Sequence, residues 1–130
     1  MDIMVKHMTV FGGVLGWLLG ELDGFLYALV VFVILDYLTG IMAAIVEKRL
    51  SSEQGFKGIF KKITLFTLVA LAHIIDNEIL KKGGAVRMAV IFFYLANEGL
   101  SILENVTRMG VNVPPQLRSV LEKINEKEVK

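Results

Sequence analysis

Residues Gly24–Val46 read GFLYALVVFVILDYLTGIMAAIV, and Asp36, near the middle, is the only charged residue among them. About 20 apolar residues suffice to cross the hydrocarbon core of a bilayer as a helix. This stretch is long enough and apolar enough to do so. Its cost is the acid, since a carboxylate at mid-bilayer is worth about 2.5–3.5 kcal/mol against insertion. Such a residue marks a site where something other than lipid is expected.

Two further runs repeat the theme. Ile63–Leu80 (ITLFTLVALAHIIDNEIL) carries His73, Asp76 and Glu78 in its second half, and Ala85–Leu103 (AVRMAVIFFYLANEGLSIL) carries Asn97 and Glu98. The chain has 130 residues, 55% of them hydrophobic, with a mean hydropathy of +0.62. A soluble domain of this size spreads its apolar residues in amphipathic periods, whereas here they stand in blocks of bilayer length. The fold class expected is an all-α integral membrane protein with three spanning helices. A fourth apolar segment, Met8–Gly20 (MTVFGGVLGWLLG), is shorter and glycine-rich, and three readings stand for it: interfacial, re-entrant or a fourth span. Glu21–Gly24 can make a tight turn that pairs it with the first span as a hairpin. A cleavable signal peptide is not expected, because Glu21 and Asp23 follow the run where a small-residue cleavage site would stand.

The charges sit between the runs. Lys48, Arg49, Lys57, Lys61 and Lys62 surround the polar connector, residues 47–62, whereas Lys81, Lys82 and Arg87 flank the Gly83-Gly84 turn. Basic residues favour the cytoplasmic side. Connector 47–62 and the C-terminus are therefore expected inside and the Gly83-Gly84 turn outside. Residues 1–110 form the transmembrane part. Gly110 and Pro114-Pro115 break the last spanning helix. In the cytoplasmic tail, residues 111–130, Pro115 can open an amphipathic helix whose Leu117, Val120, Leu121 and Ile124 form one apolar stripe. That stripe suits docking on a neighbouring subunit or on the membrane surface.

Net charge is +1 and there is no cysteine, so neither a nucleic-acid field nor disulfides or thiolate metal sites are expected. His73 with Asp76 falls short of the three or four ligands a zinc site wants. No nucleophile–base–acid set or phosphate loop is present, so neither enzymatic activity nor a cofactor is expected. What remains is helix association. Asp36, Thr39, Gly40 and Ala43 share one helical face, and Gly40 with Ala44 adds a small-xxx-small spacing, with Phe25 and Tyr37 pointing away toward lipid. Small residues allow close approach and polar ones bond across the contact. Asp36 on that face suits either an intersubunit or pore contact or a bond within its own chain. Gly12, Gly16 and Gly20 repeat the spacing in the N-terminal run and read as an oligomeric seam, with Trp17 as a headgroup-level anchor. His73 and Asp76 suit an interhelical contact near the membrane boundary, or a proton relay. In the third run Tyr94, Glu98, Ser101 and Asn105 form a polar stripe flanked by Asn97, the best candidate for a surface that lines water after a rearrangement.

These residues also carry a family resemblance. LDYLTGIMAAIVEKRLSSEQGFKGIFKKI (Leu35–Ile63) and NEGLSILENVTRMGVNVPPQLRSVLEKI (Asn97–Ile124) resemble bacteriophage holins of the toxin-secretion/phage-lysis type, holin family 4. Asp36, Thr39, Gly40, Asn97, Glu98 and Asn105 stand at motif positions of that resemblance, which covers about Gly24–Ile124. It implies a multi-pass protein of the bacterial inner membrane that assembles with itself and opens lesions. Through them a cell-wall hydrolase, or a toxin, leaves and the cell lyses, without direct binding of the hydrolase. Two other functions fit the residues: a small ion or proton channel, and a scaffold that recruits a partner through the C-terminal helix.

Overall fold

The computed structural model describes residues 2–81 and 83–129, with side-chain surroundings through Asn125. Lys82, counted among the basic residues above, lies outside the described residues. The described chain is all helix: α1 (Ile3–Leu19), α2 (Gly24–Val46), α3 (Ser52–Ile74), α4 (Ala85–Arg108) and α5 (Pro115–Val129). A π-helical turn, Ile75–Leu80, continues α3 to the α3–α4 turn. Three of these are long and apolar enough to cross a membrane: Gly24–Val46, Ser52–Leu80 and Ala85–Arg108.

Local chemistry sets the boundaries. The Asp23 side chain accepts the Leu26 N–H at 2.8 Å and starts α2. Ser51 caps α3 by accepting from the Gln54 N–H at 3.2 Å, in a Ser-x-x-Gln arrangement that favours a helix start. Gly110, at φ +91°, ends the chain's run through α4, a conformation that suits glycine. Pro115 then opens α5, where its fixed φ and missing N–H cost nothing.

The connector after α2 is shorter than the charge pattern implies. Helix α3 starts at Ser52, so only residues 47–51 form the turn and Lys57, Lys61 and Lys62 are helical. A polar, lysine-bearing first half does not prevent helix formation, because lysine and glutamine are good helix formers.

The core is one seam shared by three helices. Leu26, Leu29 and Val33 of α2 meet Leu65 and Val69 of α3 and Ile91 and Leu95 of α4. Within each helix these residues fall three or four apart, the spacing that keeps one face turned to its neighbours. Helix α4 is central and touches α2, α3 and α5. The outer faces of α2 and α3 are apolar and exposed, at Leu38, Met42, Phe60 and Ile63 among others.

The two terminal helices pack on different neighbours. Helix α1 does not fold back on α2; it meets α3. Its residues are exposed from Asp2 to Trp17, and its 17 residues span about 25 Å, against about 30 Å of hydrocarbon. Helix α5 packs on α4 of its own chain. Of its stripe, Leu121 is buried and Ile124 half-buried, while Leu117 and Val120 remain exposed.

Candidate functional site

Three charged residues of the long apolar helices converge on one point. Lys62 Nζ donates to Asp36 Oδ2 at 2.7 Å and to Glu98 Oε2 and Oε1 at 2.9 and 3.2 Å. One ammonium from α3 thus joins carboxylates from α2 and α4. Asp36 and Glu98 are both buried. Asn105 of α4 closes the other side, with Nδ2 donating to Asp36 Oδ1 at 3.0 Å and to Thr39 Oγ1 at 3.0 Å. Its Oδ1 in turn accepts from Arg108 Nη1 at 3.2 Å, and Arg108 pairs with Glu47. The network therefore runs without a break from the middle of α2 to its C-terminal end.

Sequence spacing explains the convergence. Asp36 follows Val33 by three positions, Glu98 follows Leu95 by three, and Lys62 precedes Leu65 by three, so each continues the apolar seam of its helix. Burying such groups is tolerable only when they are paired and hydrogen-bonded. Among the described residues no buried side-chain nitrogen or oxygen lacks a partner.

Beside the network lies a cleft of about 440 Å³ between α2, α3 and α4. Asp36 and Lys62 line it within the bundle, and Arg49, Ser51, Gln54 and Arg108 line it at the connector end. Small residues hold it open: Gly40, Ala44, Gly55 and Gly58 form part of its walls.

A second network fastens the opposite end. Arg87, buried near the start of α4, donates through Nε to Leu19 O at 2.7 Å, through Nη2 to Glu21 O at 2.8 Å and through Nη1 to Asp23 Oδ2 at 3.0 Å. Asp76 accepts the backbone N–H groups of Val86 and Arg87 at 3.0 and 2.7 Å, capping α4. Partial burial pushes the Asp23 carboxyl up, but the Leu26 N–H and the Arg87 guanidinium outweigh it and hold the group below the usual aspartate range. At the other end the Arg108 guanidinium holds Glu47 low.

The residues singled out from sequence divide as follows. Asp36, Thr39, Gly40 and Ala43 face α4 of their own chain. Ala43 is fully buried, and a Cβ on Gly40 would meet Asn105 at 3.6 Å. Ala44 lines the cleft. Tyr37 does not face lipid: its hydroxyl donates to Gly55 O at 3.2 Å, with the ring against Gly58. Phe25 is partly exposed but sets its ring edge-on to Phe92, 5.0 Å between centroids. Glu98 and Asn105 turn inward, Tyr94 and Ser101 are half-buried, and Asn97 is exposed. His73 and Asp76 line one pocket at the α3–α4 turn, but Asp76 bonds to α4 and not to His73. Gly12 and Gly16 meet nothing within 4 Å. Gly20 does not extend their stripe; it ends α1 at φ +90°, and a Cβ there would lie 2.6 Å from Arg87 Nε.

Two residues were not singled out from sequence. Lys62 was assigned to a polar connector and Arg87 to a turn flank. The signal for Lys62 was present in the three-four spacing Lys62–Leu65–Val69–Ala72. For Arg87 it was only that a cation stood three residues inside an apolar run.

Helix α5 adds a polar surface at depth. A Cβ on Gly99 would lie 2.8 Å from Leu121 Cδ2 and 3.2 Å from Phe32 Cε2, so Leu121 sits in a seat formed by α4 and α2. Phe32 is about 12 Å along α2 from Gly24 and about 21 Å from Val46, at about 1.5 Å per residue. Arg118, Glu122 and Lys123, all exposed, lie within one helical turn of Leu121. Facing lipid at that depth, each would cost roughly 2.5–3.5 kcal/mol on insertion scales.

Comparison with known proteins gives a consistent family. The model of the Bacteriophage holin family matches residues 13–126. A protein of Bacillus phage phi105 named "Probable holin" is 38% identical over 98 residues, 75% of this chain and 71% of that protein. An uncharacterised protein of Listeria innocua is 49% identical over 122 residues, 93% of this chain and 86% of its own length. One of Bacillus subtilis is 38% identical over 125 residues, covering 95% and 82%. No solved structure matches.

Proposed function

The chain belongs to the bacteriophage holin family, and from that premise we propose that it acts as a holin. In this reading it accumulates in the bacterial inner membrane, assembles with copies of itself and opens lesions. A cell-wall hydrolase or a toxin then leaves through them and the cell lyses. The protein performs no catalysis and needs no cofactor. Its partners are other copies and the bilayer, and the hydrolase passes without being bound. The basic residues around the α2–α3 turn favour placing that turn in the cytoplasm.

The observation that carries the reading is the closure of the Asp36–Lys62–Glu98 network inside one chain. A lesion former must first insert without harm. A protomer whose Asp36, Lys62 and Glu98 are paired with one another keeps the charges of its three-helix core away from lipid. It also stores polar groups that can line water if the helices part. Interhelical polar contacts in membranes are worth about 0.6–2 kcal/mol each, weak enough to be exchanged collectively as the protein accumulates. A membrane potential acts on charge at about 2.3 kcal/mol per 100 mV, so a shift of the network along the membrane normal would be voltage-biased.

The test is induction in bacteria with and without a co-expressed cell-wall hydrolase. Abrupt lysis that requires the hydrolase is expected; intact cells under both conditions would refute the reading. The cleft that reaches Lys62 and Asp36 supports a second reading, a small ion channel. That reading predicts a gradual loss of potential and no hydrolase escape.

A further inference from the structure

We propose that α5, docked on α4 as observed, forms part of the water-facing wall of the assembled lesion, with Arg118, Glu122 and Lys123 turned to the lumen. The inference rests on the lesion-forming reading above.

Three observations lead to it. First, the docking seat is specific. Leu121 occupies a site on α4 and α2 where even a methyl group on Gly99 would collide with it. Second, the seat is deep, because it lies at the level of Phe32, well inside the most continuous apolar span. The charged side of α5 is carried to that depth with it. Third, the molecule is two-sided. α5 packs on α4 and makes no contact with α3 among the described residues. The outer faces of α2 and of α3 from Ile63 on are mainly apolar, at Leu38, Met42, Ile63 and Leu71 among others, while Glu53, Lys57 and Lys61 stand exposed nearer the start of α3.

The surroundings of the α5 face follow by exclusion. Lipid is disfavoured, because three charges within about one and a half turns would meet hydrocarbon. A neighbouring protomer packed there through its α2, or through α3 from Ile63 on, would offer mainly apolar side chains to those same charges and leave them unpaired. Water satisfies them. A ring of protomers whose α2 and α3 faces contact lipid or each other, with α5 turned inward, places every charged side chain of the α5 face in solvent. The opposite signs of Arg118 and Glu122, four residues apart, also leave this wall only weakly selective for charge.

The chain contains no cysteine, so single reporters can be placed without background. Arg118→Cys and Glu122→Cys report the α5 face, and Leu38→Cys and Ile63→Cys report the apolar faces. A membrane-impermeant maleimide is added to induced cells before and after lysis begins, in the absence of hydrolase so that envelopes stay whole. A paired variant, Gly99→Cys with Leu121→Cys, is oxidised in the same membranes to show whether α5 is docked. The expected result is a several-fold rise in labelling at 118 and 122 once lesions open. Positions 38 and 63 stay protected and the 99–121 crosslink persists. Persistent crosslinking with 118 and 122 protected overturns the proposal, because the face is then not in water. Labelling at 118 and 122 without the crosslink also overturns it, because α5 has then left the wall. Failure of the unsubstituted chain to support hydrolase-dependent lysis is a different outcome: it removes the lesion itself and refutes the functional reading on which this one rests.

Discussion

Replacing Lys62 with methionine removes the cation that two buried carboxylates share. Lys62 reaches Asp36 at 2.7 Å and Glu98 at 2.9 Å, so the substitution cuts α3 from both α2 and α4. Two interhelical polar contacts in a membrane are worth together about 1–3.5 kcal/mol. Stranding the partners of a buried ion pair costs more, about 3–5 kcal/mol. The ranges meet near 3 kcal/mol, a shift of roughly 100-fold in the ratio of closed to opened protomer. Glu98→Gln is the informative comparison. It leaves Lys62 and Asp36 as a one-to-one pair and removes the second carboxylate charge, so its expected cost is only about 1 kcal/mol, that of a weakened hydrogen bond. Both variants are purified in micelles and unfolded with a denaturing detergent while helicity is followed. Lysis onset is timed in cells at matched expression. Lys62→Met should unfold well before Glu98→Gln, and should lyse cells earlier because the closed protomer is weakened. Equal losses for the two variants, or an unchanged Lys62→Met, would refute the claim that this lysine holds the three spans together.

Other consequences can be checked in the same system. Gly99→Leu drives a side chain into the Leu121 seat, where overpacking costs about 1–3 kcal/mol; protease cleavage in residues 109–114 should accelerate as α5 detaches, while α2–α4 stay folded. Arg87→Met frees Leu19 O, Glu21 O and Asp23 together, and the loss of these charge-assisted bonds, on the order of 2–3 kcal/mol, should raise hydrogen exchange across residues 20–24. Asp23 is held low by Leu26 and Arg87, so its contribution is present above the unfolded aspartate pKa and is lost as pH falls through the lower folded value; acidification should loosen the α1–α2 turn in the native chain, and Asp23→Asn should be loose at every pH. Gly12→Leu with Gly16→Leu meets open space, so unfolding of the protomer should be unchanged, and a delay in lysis would assign that face to contacts between copies.

The Asp36–Lys62–Glu98 network also defines what opening requires. Each of its three bonded helices contributes one charged group, so no helix can leave alone without stranding a charge. Separation is therefore favourable only where water or another protomer replaces the lost partners. That condition ties opening to assembly, which suits a protein that must stay inert until enough copies are present.

Much of the architecture was legible in the residues. Gly24–Val46 declared a spanning helix because its length and composition leave few alternatives, and the same logic located the cores of α3 and α4. Gly110 and Pro115 marked the break before α5 because their backbone preferences act locally. The run Ile63–Leu80 was too short at its start, because a lysine-bearing amphipathic turn reads as a connector when hydropathy alone is followed. The Asp36 face was visible as a packing face, but spacing within one helix carries no information about which chain supplies the partner.

Length, hydropathy and local capping are properties of consecutive residues, and the sequence by itself determined them: three helices long and apolar enough to cross a membrane, their approximate ends, and acids placed where lipid alone would be costly. The partners of Asp36 and Glu98 come from residues 26 to 69 positions apart in the chain, and only the packing of α2, α3 and α4 brought Lys62 and Asn105 to Asp36. The same is true of α5. Its stripe marked an apolar face suited to a neighbouring subunit or the membrane surface, whereas the gap at Gly99 beside Phe32 gave Leu121 its place on α4, because a glycine there leaves room that any side chain would fill.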